Sequence, residues 1–236
     1  MDTASEMVHF SSFAGKQQLA ESLARDVAEQ LNDAISKRGK ASLVVSGGST
    51  PKPFFTALRE QNVDWDKVYV TLADERWVDN SHTDSNEKLV RENLLVGGMN
   101  FVPLKNASAD AAAGVDAANR AIESMPLPFD VTILGMGDDG HTASLFPTAA
   151  ELEHALNVAE AGVYCAALNP PSYASHPRMT LTLPALLNSR RIILHITGAG
   201  KQDVYEKACR FGPVAEMPIR AVLRQEMTPV DVYWAA

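Results

Sequence analysis

Three times along this chain an apolar run rich in β-branched residues ends in glycines and gives way to a helical pattern, and that recurrence narrows the fold more than any other feature. The runs are Ala41-Ser42-Leu43-Val44-Val45-Ser46 before Gly47-Gly48, Val131-Thr132-Ile133-Leu134 before Gly135, Gly137 and Gly140, and residues 191–197 before Gly198-Ala199-Gly200. Short continuous apolar stretches of this kind read as buried strands. Glycines at their ends let backbone N–H groups approach whatever lies above the strand. A fourth strand, residues 68–72, delivers Asp74-Glu75-Arg76-Trp77-Val78. Charges at a strand's carboxyl end belong where open α/β sheets bind ligands, so this cluster is expected to share a crevice with the glycine loops.

The segments between these strands predict helices. Over residues 15–38, Leu19, Leu23, Val27, Leu31 and Ile35 recur four apart with charges between them, a long amphipathic helix that Gly39 ends. Shorter helices are expected over 52–59, 88–95, 108–124, 149–156, 201–210 and 218–224, and further strands over 8–10, 101–104, 164–168, 179–183 and 230–234. With 236 residues, 46% of them hydrophobic, the chain can bury a substantial core, and a single α/β domain over 1–236 is expected.

Twenty-nine acidic against 21 basic residues leave a net charge of -8, which provides no basic field for nucleic acid or an anionic membrane. An anionic ligand must therefore be met by a few local cations. Cys165 and Cys209 are far apart and lack metal-ligand spacing, which suits a reducing, cytoplasmic setting. No secretory signal and no membrane-spanning stretch is read from the sequence.

Within the central loop, Asp139 and His141 flank Gly140, and histidine is the side chain best matched to moving protons near neutral pH. Gly135-x-Gly137-x-x-Gly140 also fits a dinucleotide fingerprint, but that pattern belongs to a first strand and helix, whereas this loop lies mid-chain with acidic residues in its variable positions. A purely structural turn is the other bland reading, because Gly-Asp-Asp-Gly is ordinary turn chemistry. The turn Gly47-Gly48-Ser49-Thr50-Pro51 offers N–H groups, two hydroxyls and a helix N-terminus to an anion; equally, Ser49 or Thr50 caps the helix. Arg76 suits a bidentate phosphate clamp, against an ion pair with Asp74 or Glu75. Lys201 opens a helix, where a lysine is poorly placed for the helix dipole and better placed to reach an anion. His82 reads as a solvated loop residue, His176 as a loop residue without a partner, and His195, inside an apolar strand, as a hydrogen-bonded core histidine.

Taken together, Ser46-Gly47-Gly48-Ser49-Thr50-Pro51, Asp74-Glu75-Arg76-Trp77-Val78, the long stretch from Leu134 to Pro147, Arg178-Met179-Thr180 and Gly198-x-x-Lys201 resemble, in order, the motifs of the 6-phosphogluconolactonase family. The resemblance implies an open, mostly parallel Rossmann-like sheet flanked by helices on both faces, as in glucosamine-6-phosphate deaminase and ribose-5-phosphate isomerase. It implies hydrolysis of a phosphosugar lactone without metal or organic cofactor, by a monomer or small homo-oligomer. His141 would be the base and Asp139 its orienting carboxylate. Gly47, Gly48, Ser49, Thr50, Asp74, Arg76, Arg178 and Lys201 would bind substrate, with Arg76, Arg178 and Lys201 on the phosphate. The rival readings are a glucosamine-6-phosphate deaminase and a non-catalytic phosphosugar sensor. The deaminase family carries a glutamate where this chain has Phe146, and an apolar ring cannot move a proton.

Overall fold

The four-residue spacing of Leu19, Leu23, Val27 and Leu31 folds as α1 (Lys16–Arg38), with Ala20, Ala24 and Ala28 widening the buried stripe. A turn of 3.6 residues drifts off a strict period of four, and Ile35 at the end of the series is only partly buried. Gly39 closes the helix in the left-handed region (φ 79°), its N–H donating to the Ile35 carbonyl.

The structure is a computed structural model and describes residues 3–236. β1 (Val8–Phe13) precedes α1; after it come β2 (Ala41–Val45), α2 (Lys52–Arg59), β3 (Val68–Leu72), β4 (Asp74–Arg76), α3 (Asn86–Asn93), β5 (Asn100–Val102), α4 (Ala111–Glu123) and β6 (Val131–Leu134). The remainder runs α5 (Leu152–Asn157), β7 (Cys165–Leu168), β8 (Arg178–Leu181), α6 (Leu183–Leu187), β9 (Ile192–Thr197), α7 (Ala199–Cys209), α8 (Ile219–Arg224) and β10 (Val230–Ala235).

Seven strands form a parallel sheet in the order β1-β10-β9-β6-β2-β3-β5, flanked by helices. Every residue of β2 and β6 is buried, as continuous apolar runs covered on both faces require. From β2 the chain winds outward to β3 and β5; from β6 it winds the other way, to β9 and β10. The winding thus reverses between two neighbouring strands, and the crevice outside their carboxyl ends is where sheets of this kind take ligands. Both the turn 47–50 and the loop 135–141 open into it.

The Asp74 to Arg76 cluster follows the carboxyl end of β3 as expected, but it forms a strand of its own, in a second, antiparallel sheet of order β4-β8-β7 that the sequence reading did not include. Its register sets Arg76 opposite Arg178 and Asp74 opposite Thr180. Three charged residues carry no alternation that marks a strand; the pairing is decided by β8, far along the chain. β8 stops at Leu181, short of the expected 183, because Thr182 accepts from the Ala185 N–H and caps α6, with Pro184 in its first turn. No helix among the described residues is long and apolar enough to cross a membrane.

Candidate active site

Gly47, Gly48, Ser49 and Thr50 from the turn after β2, Asp74 and Arg76 from β4, His141 from the loop after β6, Arg178 from β8 and Lys201 from α7 line one cavity of about 310 Å³. Asp139, the remaining residue singled out in the sequence, stands against His141.

The loop after β6 is folded to present that imidazole. Gly137 N–H donates to the His141 carbonyl (2.9 Å) and Gly140 N–H to the Gly137 carbonyl (3.0 Å). The ring lies back over Gly137 so closely that a Cβ there would sit 2.0 Å from His141 Nδ1. Nδ1 is 2.5 Å from Asp139 Oδ1, which also accepts the His141 backbone N–H at 3.0 Å. With Nδ1 held by a carboxylate, Nε2 is the nitrogen left to accept a proton, and the imidazolium that results is stabilised. Burial works against the charge on Asp139, but the His141 ring, the Tyr173 hydroxyl and the His141 N–H hold its carboxyl well below the usual carboxylate range. The Tyr173 hydroxyl donates to Asp139 Oδ2 at 2.5 Å. Tyr173 comes from the proline-rich loop 169–177, and no sequence signal pointed to it.

Phe146 is the buried apolar neighbour of His141. Its ring stacks on His141 with centroids 4.3 Å apart, and the Arg178 guanidinium lies 5.4 Å from the same ring. One buried aromatic therefore sets the spacing between the imidazole and the Arg178 guanidinium.

Among the cations, Arg178 is 5% exposed, with Nη1 3.6 Å from Asp74 Oδ2. Asp74, expected to touch substrate, accepts from Ser144 Oγ at 2.5 Å as well, so the same carboxylate oxygen anchors Ser144 and Arg178. The ion-pair reading of Arg76 does not hold. Its Nη1 donates to the Asp84 carbonyl (2.9 Å), and its Nε is buried with no hydrogen-bond partner among the described residues. Glu75 is turned to the start of α3, accepting the N–H groups of Arg76, Asn86 and Glu87 at 2.7 to 2.8 Å. Lys201 Nζ is 2.5 Å from Asp138 Oδ1, a carboxylate that is itself 90% exposed.

The capping reading of Ser49 and Thr50 also gives way. α2 starts after Pro51 with no side-chain cap, leaving both hydroxyls on the cavity. Gly48 has φ 90°, a region open chiefly to glycine. A Cβ on Gly47 would lie 1.9 Å from Asn86 Oδ1, so Asn86, which also donates to the Asp74 carbonyl (2.9 Å), packs directly on that turn.

Two histidines differ from their sequence readings. His195 is buried in β9 as expected, but its ring faces the cavity edge-on to Phe54 (6.1 Å) and has no hydrogen bond among the described residues. Burial pushes it down to about 4. His176, expected to lack a partner, has Nε2 2.8 Å from Asp84 Oδ2.

Residues 14–234 match the family model described as glucosamine-6-phosphate isomerases/6-phosphogluconolactonase. The chain is 46% identical over 227 residues to a 6-phosphogluconolactonase of Rhizobium meliloti (strain 1021), covering 94% of this chain and 97% of that one. It is 49% identical to a 6-phosphogluconolactonase from Shewanella baltica OS155 of known crystal structure, with a TM-score of 0.95 over 99% of this chain and 100% of that one. A monomeric glucosamine-6-phosphate deaminase, 16% identical, shares the fold alone, with a TM-score of 0.79 over 96% of this chain and 97% of that one.

Proposed function

The chain belongs to the glucosamine-6-phosphate isomerase/6-phosphogluconolactonase family, and on that premise we propose that it hydrolyses 6-phospho-D-glucono-1,5-lactone to 6-phospho-D-gluconate, in the oxidative pentose phosphate pathway. The relatives at 46% and 49% identity bear the lactonase name. The single observation that carries the choice within the family is the Phe146 ring stacked on His141: lactone hydrolysis needs one base, and the position beside it is apolar.

His141 Nε2 removes a proton from water as the oxygen attacks C1 of the lactone. The carbonyl electrons move onto the C1 oxygen, to which the glycine turns that line the cavity, notably at Gly47 and Gly48, donate backbone N–H groups, each worth about 3 kcal/mol in such a role. Collapse of the adduct re-forms the carbonyl and breaks the bond from C1 to the ring oxygen, which takes the proton from the imidazolium. Asp139 orients the ring and stabilises its cation through Nδ1. Arg76, Arg178 and Lys201 hold the phosphate, and the unpartnered Nε of Arg76 is a donor awaiting an acceptor. Anchoring that distant group fixes C1 over the base, so remote binding energy serves orientation. Ser49 and Thr50 meet sugar hydroxyls, and Asp74 acts by holding Arg178. These residues supply each role the hydrolysis requires without a metal or organic cofactor. The enzyme works in the cytoplasm as a monomer or small homo-oligomer, with no nucleic-acid or membrane partner.

The test is hydrolysis of freshly generated lactone, coupled to oxidation of the 6-phosphogluconate formed and corrected for spontaneous ring opening, beside an assay for ammonia release from glucosamine 6-phosphate. Lactone turnover without ammonia release is expected. Ammonia release would give the deaminase instead, and phosphosugar binding with neither activity would give a sensor.

A further inference from the structure

Behind the phosphate clamp lies a group of side chains that the hydrolysis does not use. His82 and Asp84 belong to the loop from β4 to α3, and His176 to the proline-rich loop entering β8. One ligating atom of each lies within 4.8 Å of the others. His176 Nε2 is 2.8 Å from Asp84 Oδ2, and the His82 and His176 rings meet edge to face with centroids 5.3 Å apart. His176 is held at φ 64°, a left-handed conformation uncommon for a residue other than glycine and found where surrounding structure enforces it. The main chains of the same residues hold the clamp: the Asp84 carbonyl accepts from Arg76 Nη1 (2.9 Å), and the His176 carbonyl from Arg178 Nε (3.3 Å).

We propose that His82, Asp84 and His176 form a binding site for a divalent cation of the zinc class, which fastens the two loops together and so fixes Arg76 and Arg178 for the phosphate. Two imidazoles and a carboxylate are the donor set that borderline cations such as Zn²⁺ and Co²⁺ prefer over Mg²⁺ or Ca²⁺, and three protein ligands leave a position for water. His82 Nδ1 accepts the Asp84 N–H (3.0 Å), which orients its ring within the group. The ion takes no part in the chemistry, because His141 and Asp139 lie on a different loop and bind each other. Binding is independent of what the cleft hydrolyses; only the effect on KM rests on the lactonase reading.

The experiment is titration of the chelator-treated full chain with Co²⁺, followed by its visible d–d absorption and by displacement with Zn²⁺. One equivalent should give a low-symmetry spectrum in the wild type, and none should appear in His82→Asn or His176→Asn; the first keeps an acceptor for the Asp84 N–H. Absence of the spectrum in the wild type, or its survival in both variants, would overturn the site. Its loss in His141→Ala but not in His82→Asn would move the ion to the catalytic pair and equally overturn it. With Zn²⁺ bound, KM for the lactone should fall at least threefold in the wild type and not in His82→Asn. Stoichiometric binding with KM unchanged would refute the fastening of the clamp, while absence of any lactonase activity alongside an intact Co²⁺ spectrum would refute the reading of the cleft and leave the site standing.

Discussion

At His141, two contacts divide the work between position and charge: the Asp139 carboxylate on Nδ1 sets which nitrogen faces the cavity, and the Phe146 ring sets where it stands. His141→Ala should lower kcat by ~10²–10⁴-fold, the usual contribution of a positioned base, and leave KM within a few-fold. Steady-state kinetics on the purified variant checks this, and undiminished turnover would reject the assignment. Tyr173 bonds the second oxygen of Asp139 from an exposed loop position. A single hydrogen bond of that kind contributes about 1 kcal/mol in water-accessible surroundings, so Tyr173→Phe should cost a few-fold in kcat with KM little changed. Arg76→Ala, by contrast, removes a donor of the proposed phosphate clamp and should raise KM by about tenfold or more, with a smaller effect on kcat. Measuring both constants for each variant separates the orienting role from the clamping one.

The two glycine turns and β4 act as units. The loop after β6 can place the imidazole only because position 137 has no side chain, so Gly137→Ala should displace the ring and reduce activity nearly as far as His141→Ala while the chain still folds. Circular dichroism and the thermal midpoint, set beside kcat, distinguish this from unfolding. How much of these elements the sequence shows depends on how local their causes are. The strands β2, β6 and β9 are continuous apolar runs ending in glycine, and α1 is a spaced row of leucines and valines, so run length and spacing locate them. β4 is three charged residues whose only reason to be a strand is the antiparallel register with β8. No local rule could locate it, although the charge of its residues singled them out in the sequence and Asp74 and Arg76 do line the cavity. Tyr173 was hidden for a related reason: a tyrosine in a proline-rich loop carries no period, and its meaning comes from a carboxylate on another loop.

Across the whole molecule, two buried groups give folding stability an opposed pH dependence. His195 is pushed by burial from the ordinary imidazole value of 6.5 down to about 4, so between those values the unfolded chain binds a proton that the folded chain refuses. Its contribution is complete above pH 6.5 and is lost as pH falls, by about 3 kcal/mol at most. Burial pushes Glu75 up to about 7, against the pull of the Asn86, Glu87 and Arg76 N–H groups. Its protonated form is favoured in the folded state, so its contribution is present at low pH and lost as pH rises through 7. Urea unfolding of the wild type and His195→Gln at a series of pH values isolates the first effect. The stability difference in favour of the wild type should grow between pH 4 and 6.5 and stay level above.

Apolar run lengths, helical spacing and the glycines after strands were enough to determine an α/β chain with ligand chemistry at its strand ends, because burial periodicity and backbone permissiveness are properties of neighbouring residues. The order of the strands, the second sheet that sets Arg76 opposite Arg178, the free hydroxyls of Ser49 and Thr50, the Tyr173 contact with Asp139 and the meeting of His82, Asp84 and His176 were decided only in three dimensions. Each of these depends on which distant segments come into contact, or on which of two competing partners a side chain reaches first, and packing of the complete chain settles both.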